Sequence, residues 1–162
     1  MKMTLTKERM TQMNKEIIAK AAEIIESGAI QGGKNWESYW ERGQVCILSL
    51  IDEQGFPTAS VITPSKADGI NWLTFGSAKD GNSMKRSLAN PRASLCFGSP
   101  EYSINLVGEI EVITDNAIKN DMWYEGLTMH FTGPDDPSYC VLRFTTKRYK
   151  LFVGDGVTEG EL

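Results

Sequence analysis

The stretch INWLTFGSAKDGNSMKRSLANP, residues 70–91, decides how the chain is read. Its first seven residues are mostly apolar, with Ile70, Trp72, Thr74 and Phe75 of β-branched or aromatic type, which predicts a strand. Residues 83–89 predict one or two helical turns with Ser83 as N-cap. Asn90-Pro91 stops them, because the residue before proline avoids the α region. Residues 76–91 carry two glycines, Gly76 and Gly81, three serines and three cations, Lys79 and Lys85 among them. The glycine spacing matches a phosphate-binding loop of the G-x-x-x-x-G-K type, but Asn82 stands where that motif needs lysine. The underlying physics still applies: a helix N-terminus offers unpaired N–H groups and a partial positive charge. With Ser77, Ser83, Lys79 and Lys85 beside it, the loop reads either as an anion site or as a solvated basic turn.

Working outward, the neighbours form tight β structure. Residues 44–52 and 57–63 predict a hairpin about the turn EQGF. Ala67-Asp68-Gly69 marks a second turn. RASLCFG (92–98) and YSINLVGEIEVIT (102–114) predict two more strands. In the latter, Ile110 and Val112 face one way, Glu109 and Glu111 the other. Gly108 within it signals a bulge or a close backbone approach. Thr114 or Asp115 caps a helix to about Glu125. YCVLRFTTKRYKLFV (139–153) is the last strand, bent near Thr146-Lys147, and residues 154–162 read as a frayed tail. At the other end, residues 4–27 carry isoleucines and alanines at helical spacing. Residues 29–43 form an aromatic loop with Trp36, Tyr39 and Trp40, covering either the protein's core or a ligand pocket. The strand links are too short for parallel crossovers. The expectation is one domain, mainly β with flanking helices (α+β): a six-stranded antiparallel barrel over residues 44–153.

The chain has 162 residues and a net charge of −4, which argues against nucleic acid as the main partner. The polar N-terminal stretch lacks a secretory core, and no apolar run is long enough to span a bilayer, so a cytoplasmic location is expected. Cys46, Cys96 and Cys140 sit in strand-like runs and read as small buried hydrophobes. His130 is the only histidine, so no zinc site is expected. It reads as a solvated loop residue or as an acid–base group. Asp135 and Asp136 read as turn residues.

The ordered set GFPTASVITP, INWLTF, the Ser/Lys loop, LANPRASLCF and INLVGEIEVITD resembles the FMN-binding split-barrel superfamily. That superfamily includes pyridoxamine 5′-phosphate oxidase, and the set is most similar to its general stress protein branch. Trp123, GPDDPSY and an arginine-bearing last strand add to the likeness. The resemblance covers roughly residues 44–150. It implies a split barrel, a homodimer, and FMN at the interface. It assigns Ser60, Val61, Ile62 and Thr63 to the strand running past the flavin, and Leu73, Thr74 and Phe75 to the ring pocket. The family's Ser-x-Lys phosphate grip occurs twice, as Ser77/Lys79 and Ser83/Lys85. The second pair is preferred because it sits at the helix start. Thr74 and Phe75 read alternatively as core residues, Trp123 as a flavin contact or as helix packing, and Arg143 as a phosphate partner or an edge-strand charge. Ser60 stands where the oxidase usually has arginine. The segment 151–162 also lacks the oxidase's substrate motif, so the oxidase's substrate is not carried over. Two functions follow: an FMN-dependent oxidoreductase, or a non-catalytic binder of flavin, F420 or haem.

Overall fold

A computed structural model of the chain describes residues 6–30 and 45–162. The aromatic stretch with Trp36, Tyr39 and Trp40 lies outside the described residues. Helix α1 spans Lys7–Gly28, with the Thr6 hydroxyl accepting from the Arg9 N–H at 3.3 Å. Its buried stripe of Ile17, Ala21 and Ile25 follows the helical period. Eight strands follow: β1 (Cys46–Ile51), β2 (Pro57–Ile62), β3 (Lys66–Asp68), β4 (Trp72–Ala78), β5 (Arg92–Ser99), β6 (Tyr102–Ile113), β7 (Tyr139–Val153) and β8 (Gly156–Glu161). Helix α2 (Asn82–Ala89) joins β4 to β5. Helix α3 (Asn116–Met122) and a 3₁₀ turn (Glu125–Met129) join β6 to β7.

All pairings are antiparallel, in the order β2-β1-β5-β6-β7-β4-β3, with β8 also on β7. The long strand β7 is the spine. Its first half pairs with β4, its second half with β8, and β6 runs along both. The split-barrel expectation of a mainly antiparallel α+β fold therefore holds, with eight strands in place of six. The register slips at Val107/Gly108, where Lys147 is the extra residue on β7. A Cβ on Gly108 would run into the Thr145 carbonyl oxygen, so the bulge needs glycine.

Inward-facing residues of β1, β4, β5, β6 and β7 build the interior. Leu48, Leu73, Phe75, Leu95, Leu106 and Phe144 have at most 1% of their surface exposed. Each such side chain contributes about 1.5–3 kcal/mol through its removal from water. A second, smaller cluster lies across β4 and β7, built from Ile30, Met122, Tyr124, Leu127, Phe131, Tyr139 and Val141. It forms the back wall of the candidate site.

Several expectations need correction. The tail is not frayed: residues 156–161 pair with β7 beyond a turn that Gly154 enters at φ +59°. Its glycines look like coil in sequence, but Gly160 lies under the Tyr149 ring, where a Cβ would come within 2.6 Å of the hydroxyl. Ala67 and Asp68 belong to β3, and the turn closes through the Asn71 N–H on the Asp68 carbonyl. Ser83 is not the N-cap of α2; Gly81 is, without a side-chain hydrogen bond. Asp115, one of the two caps expected, accepts from the Ile118 N–H at 3.1 Å. That helix ends at Met122, leaving Trp123 as its C-cap. Arg143 is no edge-strand charge, because β7 is paired on both sides. Its guanidinium stacks on Trp72, 4.8 Å from the ring centroid.

Cys46, Cys96 and Cys140 are free thiols; the first and last are buried and Cys96 half-buried. Burial pushes the Cys46 thiol up to about 12. Among the described residues no helix is long and apolar enough to cross a membrane, and no cluster of metal-binding side chains occurs.

Candidate functional site

The antiparallel pairing of β4 with β7 sets Ser77 opposite Cys140 and Ala78 opposite Tyr139. Just beyond these pairs the chain leaves the sheet on both sides. A cleft of about 520 Å³ opens there, a size suited to a small organic ligand. The end of β2 supplies Val61, Ile62 and Thr63, and the end of β4 supplies Gly76, Ser77 and Ala78, with Asp80 beyond. The connection from α3 to β7 supplies Tyr124, Leu127, His130, Phe131 and Ser138. Apolar groups thus make the floor and back wall, and hydroxyls, an imidazole and a carboxylate ring the mouth.

The back wall is rigid for identifiable reasons. Tyr139 is fully buried, with its ring 5.3 Å from Trp123 in an edge arrangement and 5.2 Å from Phe131. Its hydroxyl donates to the Lys119 carbonyl at 3.2 Å, and burial raises the phenol. Leu127 rests on Gly76, where an added Cβ would come within 2.8 Å of its methyl. Lys119, only 3% exposed, donates its ammonium to the Asp136 carbonyl at 3.0 Å and lies over the Tyr139 ring. Asp136 organises the loop that carries Ser138. Hydrogen bonds from the Ser138 hydroxyl, the Thr132 N–H and the Ser138 N–H hold its carboxyl well below the usual range. Its reading as a turn residue fits. The loop is tied to β4 by the Lys79 N–H on the Ser138 carbonyl, 2.8 Å.

Of the residues assigned by resemblance, Val61, Ile62, Thr63 and Ser77 meet in this cleft. Ser60 is exposed on β2, outside the lining. Leu73 and Phe75 point into the barrel core, and Thr74 is buried with its hydroxyl 3.1 Å from the Met122 sulfur. Trp123 packs on Tyr139. Lys79 and Lys119 lie close enough to Cys140 to oppose the upward shift that burial gives its thiol. Lys79 thus brings positive charge beside the Ser77–Cys140 pair. Ser83 and Lys85 sit in the first turn of α2, whose N-terminus no side chain caps. Arg86, further along that helix, bonds to Thr58 and Glu53 and fixes α2 to the β1–β2 hairpin. The sequence reading missed Tyr124, Leu127, Phe131, Asp80 and Ser138. For those of the α3–β7 connection the one signal was the density of aromatic and apolar residues around the GPDDPS loop; Asp80 stands in the Ser/Lys loop itself.

A barrel of this topology, with a cleft between β2, β4 and the α3–β7 connection, defines a split-barrel protein with a candidate site at the strand ends. The chain belongs to the pyridoxamine 5′-phosphate oxidase family, whose model matches residues 33–152. Solved structures give the same fold. A Clostridium acetobutylicum protein related to general stress protein 26 of Bacillus subtilis superposes with a TM-score of 0.72 at 20% identity, covering 91% of this chain and 96% of that one. General stress protein 26 from Bacillus anthracis gives 0.68 at 16% identity, covering 91% and 98%. A heme binding protein from Mycobacterium smegmatis gives 0.64 at 16% identity, covering 89% of this chain and 57% of that one. A search of proteins with curated function finds no match.

Proposed function

We propose that the chain is a cytoplasmic, homodimeric flavoprotein that binds FMN in this cleft and acts as an oxidoreductase on a small molecule other than pyridoxamine phosphate. One observation carries the proposal: residues 61–63 and Ser77, assigned to flavin binding by resemblance and distant in sequence, line one cleft of about 520 Å³ with an aromatic back wall. The donor set fits the group. Val61, Ile62, Leu127 and Phe131 offer faces for a flat ring, and Ser77 and Ser138 offer polar partners for its edge. Lys79 and the uncapped start of α2, with Ser83 and Lys85, offer positive potential for a phosphate. Bound FMN would supply hydride or electron transfer; the chain's task is to hold it, orient it and exclude water.

The outer sheet face supports a dimer. Val61 is 67% exposed and pairs in register with Ile47, 43% exposed, with Val45 nearby at 47%. An apolar patch of this kind is a common interaction surface. Val61 also lines the cleft, so a second copy seated there would close the ligand site. A second reading, haem binding without turnover, is favoured by His130 at the cleft mouth, since a neutral imidazole can ligate iron.

The test is the visible spectrum of the purified protein, before and after FMN is added and then NADH or NADPH. Flavin bands that bleach with a donor and recover in air support the oxidoreductase. A Soret band with haem identified by mass supports the second reading. A colourless protein that takes up no added FMN refutes the first.

A further inference from the structure

We infer that Ser138 presents the cleft with a hydrogen-bond acceptor, so that this corner selects the donor-bearing part of the ligand and turns its phosphate away. The inference rests on the flavin reading and adds an orientation to it. The Asp136 carboxylate is saturated by its own loop. One oxygen accepts from the Ser138 N–H at 2.9 Å and the Ser138 hydroxyl at 2.6 Å. The other accepts from the Thr132 N–H at 2.8 Å and the Thr132 hydroxyl at 3.2 Å. A carboxylate has about four acceptor positions, so none is left for a ligand.

A serine hydroxyl has a single proton. Since an ionised carboxylate can only accept, that proton lies on the line to Asp136, and Ser138 Oγ offers the cleft lone pairs alone. The Asp136 carboxyl is held below its ordinary range, which keeps this polarity through neutral pH. The Ser138 carbonyl is already engaged by the Lys79 N–H. Asp80, the carboxylate in the lining, is another acceptor. The nearby cation Lys119 is turned to the Asp136 carbonyl and the Tyr139 ring. A phosphate dianion against Ser138 would meet lone pair with lone pair. An imide N–H or a sugar hydroxyl would meet a matched partner. Lys79 spends its backbone N–H on the Ser138 carbonyl, and its ammonium lies on the Ser77–Cys140 side, so against Ser138 itself a phosphate finds no donor and is placed with Ser83 and Lys85 at the start of α2.

The full chain and its Ser138→Ala and Ser138→Thr variants are titrated with FMN and with riboflavin, which lacks the phosphate, and followed by flavin fluorescence. The expected result is a loss of about three- to tenfold for both ligands in Ser138→Ala. The ratio of the two affinities should stay at its parental value, and Ser138→Thr, which keeps the hydroxyl, should restore binding. A ratio that falls in Ser138→Ala would place the phosphate on Ser138 and overturn the inference. So would unchanged affinity for both ligands, or failure of the threonine variant to restore binding. If the parent itself binds neither flavin, the flavin reading fails and takes the orientation with it.

Discussion

Replacing Tyr139 by phenylalanine isolates one atom of the wall behind the cleft. A short helix such as α3 leaves its last four carbonyls without helical partners, and Lys119 contributes one of them. The Tyr139 hydroxyl supplies that carbonyl's partner at 3.2 Å, in a fully buried position. Phenylalanine keeps both ring contacts and the volume but strands the carbonyl. The cost of stranding a buried acceptor is about 1–3 kcal/mol, and the long bond places this case toward the lower end. Tyr139→Leu removes in addition the edge contact to Trp123 and the tilted contact to Phe131, each about 0.5–1.5 kcal/mol. The leucine variant should therefore be the less stable of the two by about 1–3 kcal/mol. Urea unfolding at a fixed protein concentration, with slopes compared, reads both. A phenylalanine variant within about 0.3 kcal/mol of the parent would refute the role given to the hydroxyl, since it falls below the smallest cost such a loss carries.

Gly108→Ala should cost roughly 3 kcal/mol or more, because its Cβ meets the Thr145 backbone and comes within 3.1 Å of Phe144, so the paired strands must part; a parental urea midpoint would contradict the bulge geometry. Lys85→Ala should weaken FMN binding by about 1–3 kcal/mol and Lys79→Ala by less; equal FMN affinity in Lys85→Ala and the parent, by titration, would reject that choice of lysine. Asp136 has a lowered carboxyl in the folded state, so its contribution is complete above the ordinary aspartate value of 3.8 and is lost only as pH falls through the lower folded value. The Thr132 and Ser138 amides should accordingly stay protected from hydrogen exchange at pH 4, and protection that vanishes at pH 5 would contradict the assignment.

The strands were legible where alternation was strong. Residues 92–99 set Ala93, Leu95 and Phe97 on one face with Arg92, Ser94 and Gly98 on the other, and residues 109–112 alternate glutamate with Ile110 and Val112; a period of two needs no tertiary information. The proline after Asn90 likewise marked the end of α2, and the glycine in GEIEV marked the bulge. β8 was not legible, because Gly156-Val-Thr-Glu-Gly-Glu has the composition of a tail. Its strand character comes from the partner β7 and from Ile17 and Tyr149, whose side chains occupy the space its glycines leave.

The same division holds for the site. Local pattern sufficed to place small donors and lysines around the start of α2, and the family resemblance suggested that residues 60–63 and 73–75 belong to one pocket. It could not say which side chains face that pocket. Strand pairing turned Leu73 and Phe75 into the core and left residues 76–78 at the mouth. The long-range contact of the α3–β7 connection with β4 then brought in Tyr124, Leu127, Phe131 and Ser138. Order along the chain determined the barrel, because turn length and hydrophobic period are local properties. The cleft was decided only by segments about 60 residues apart coming together, which no local period encodes.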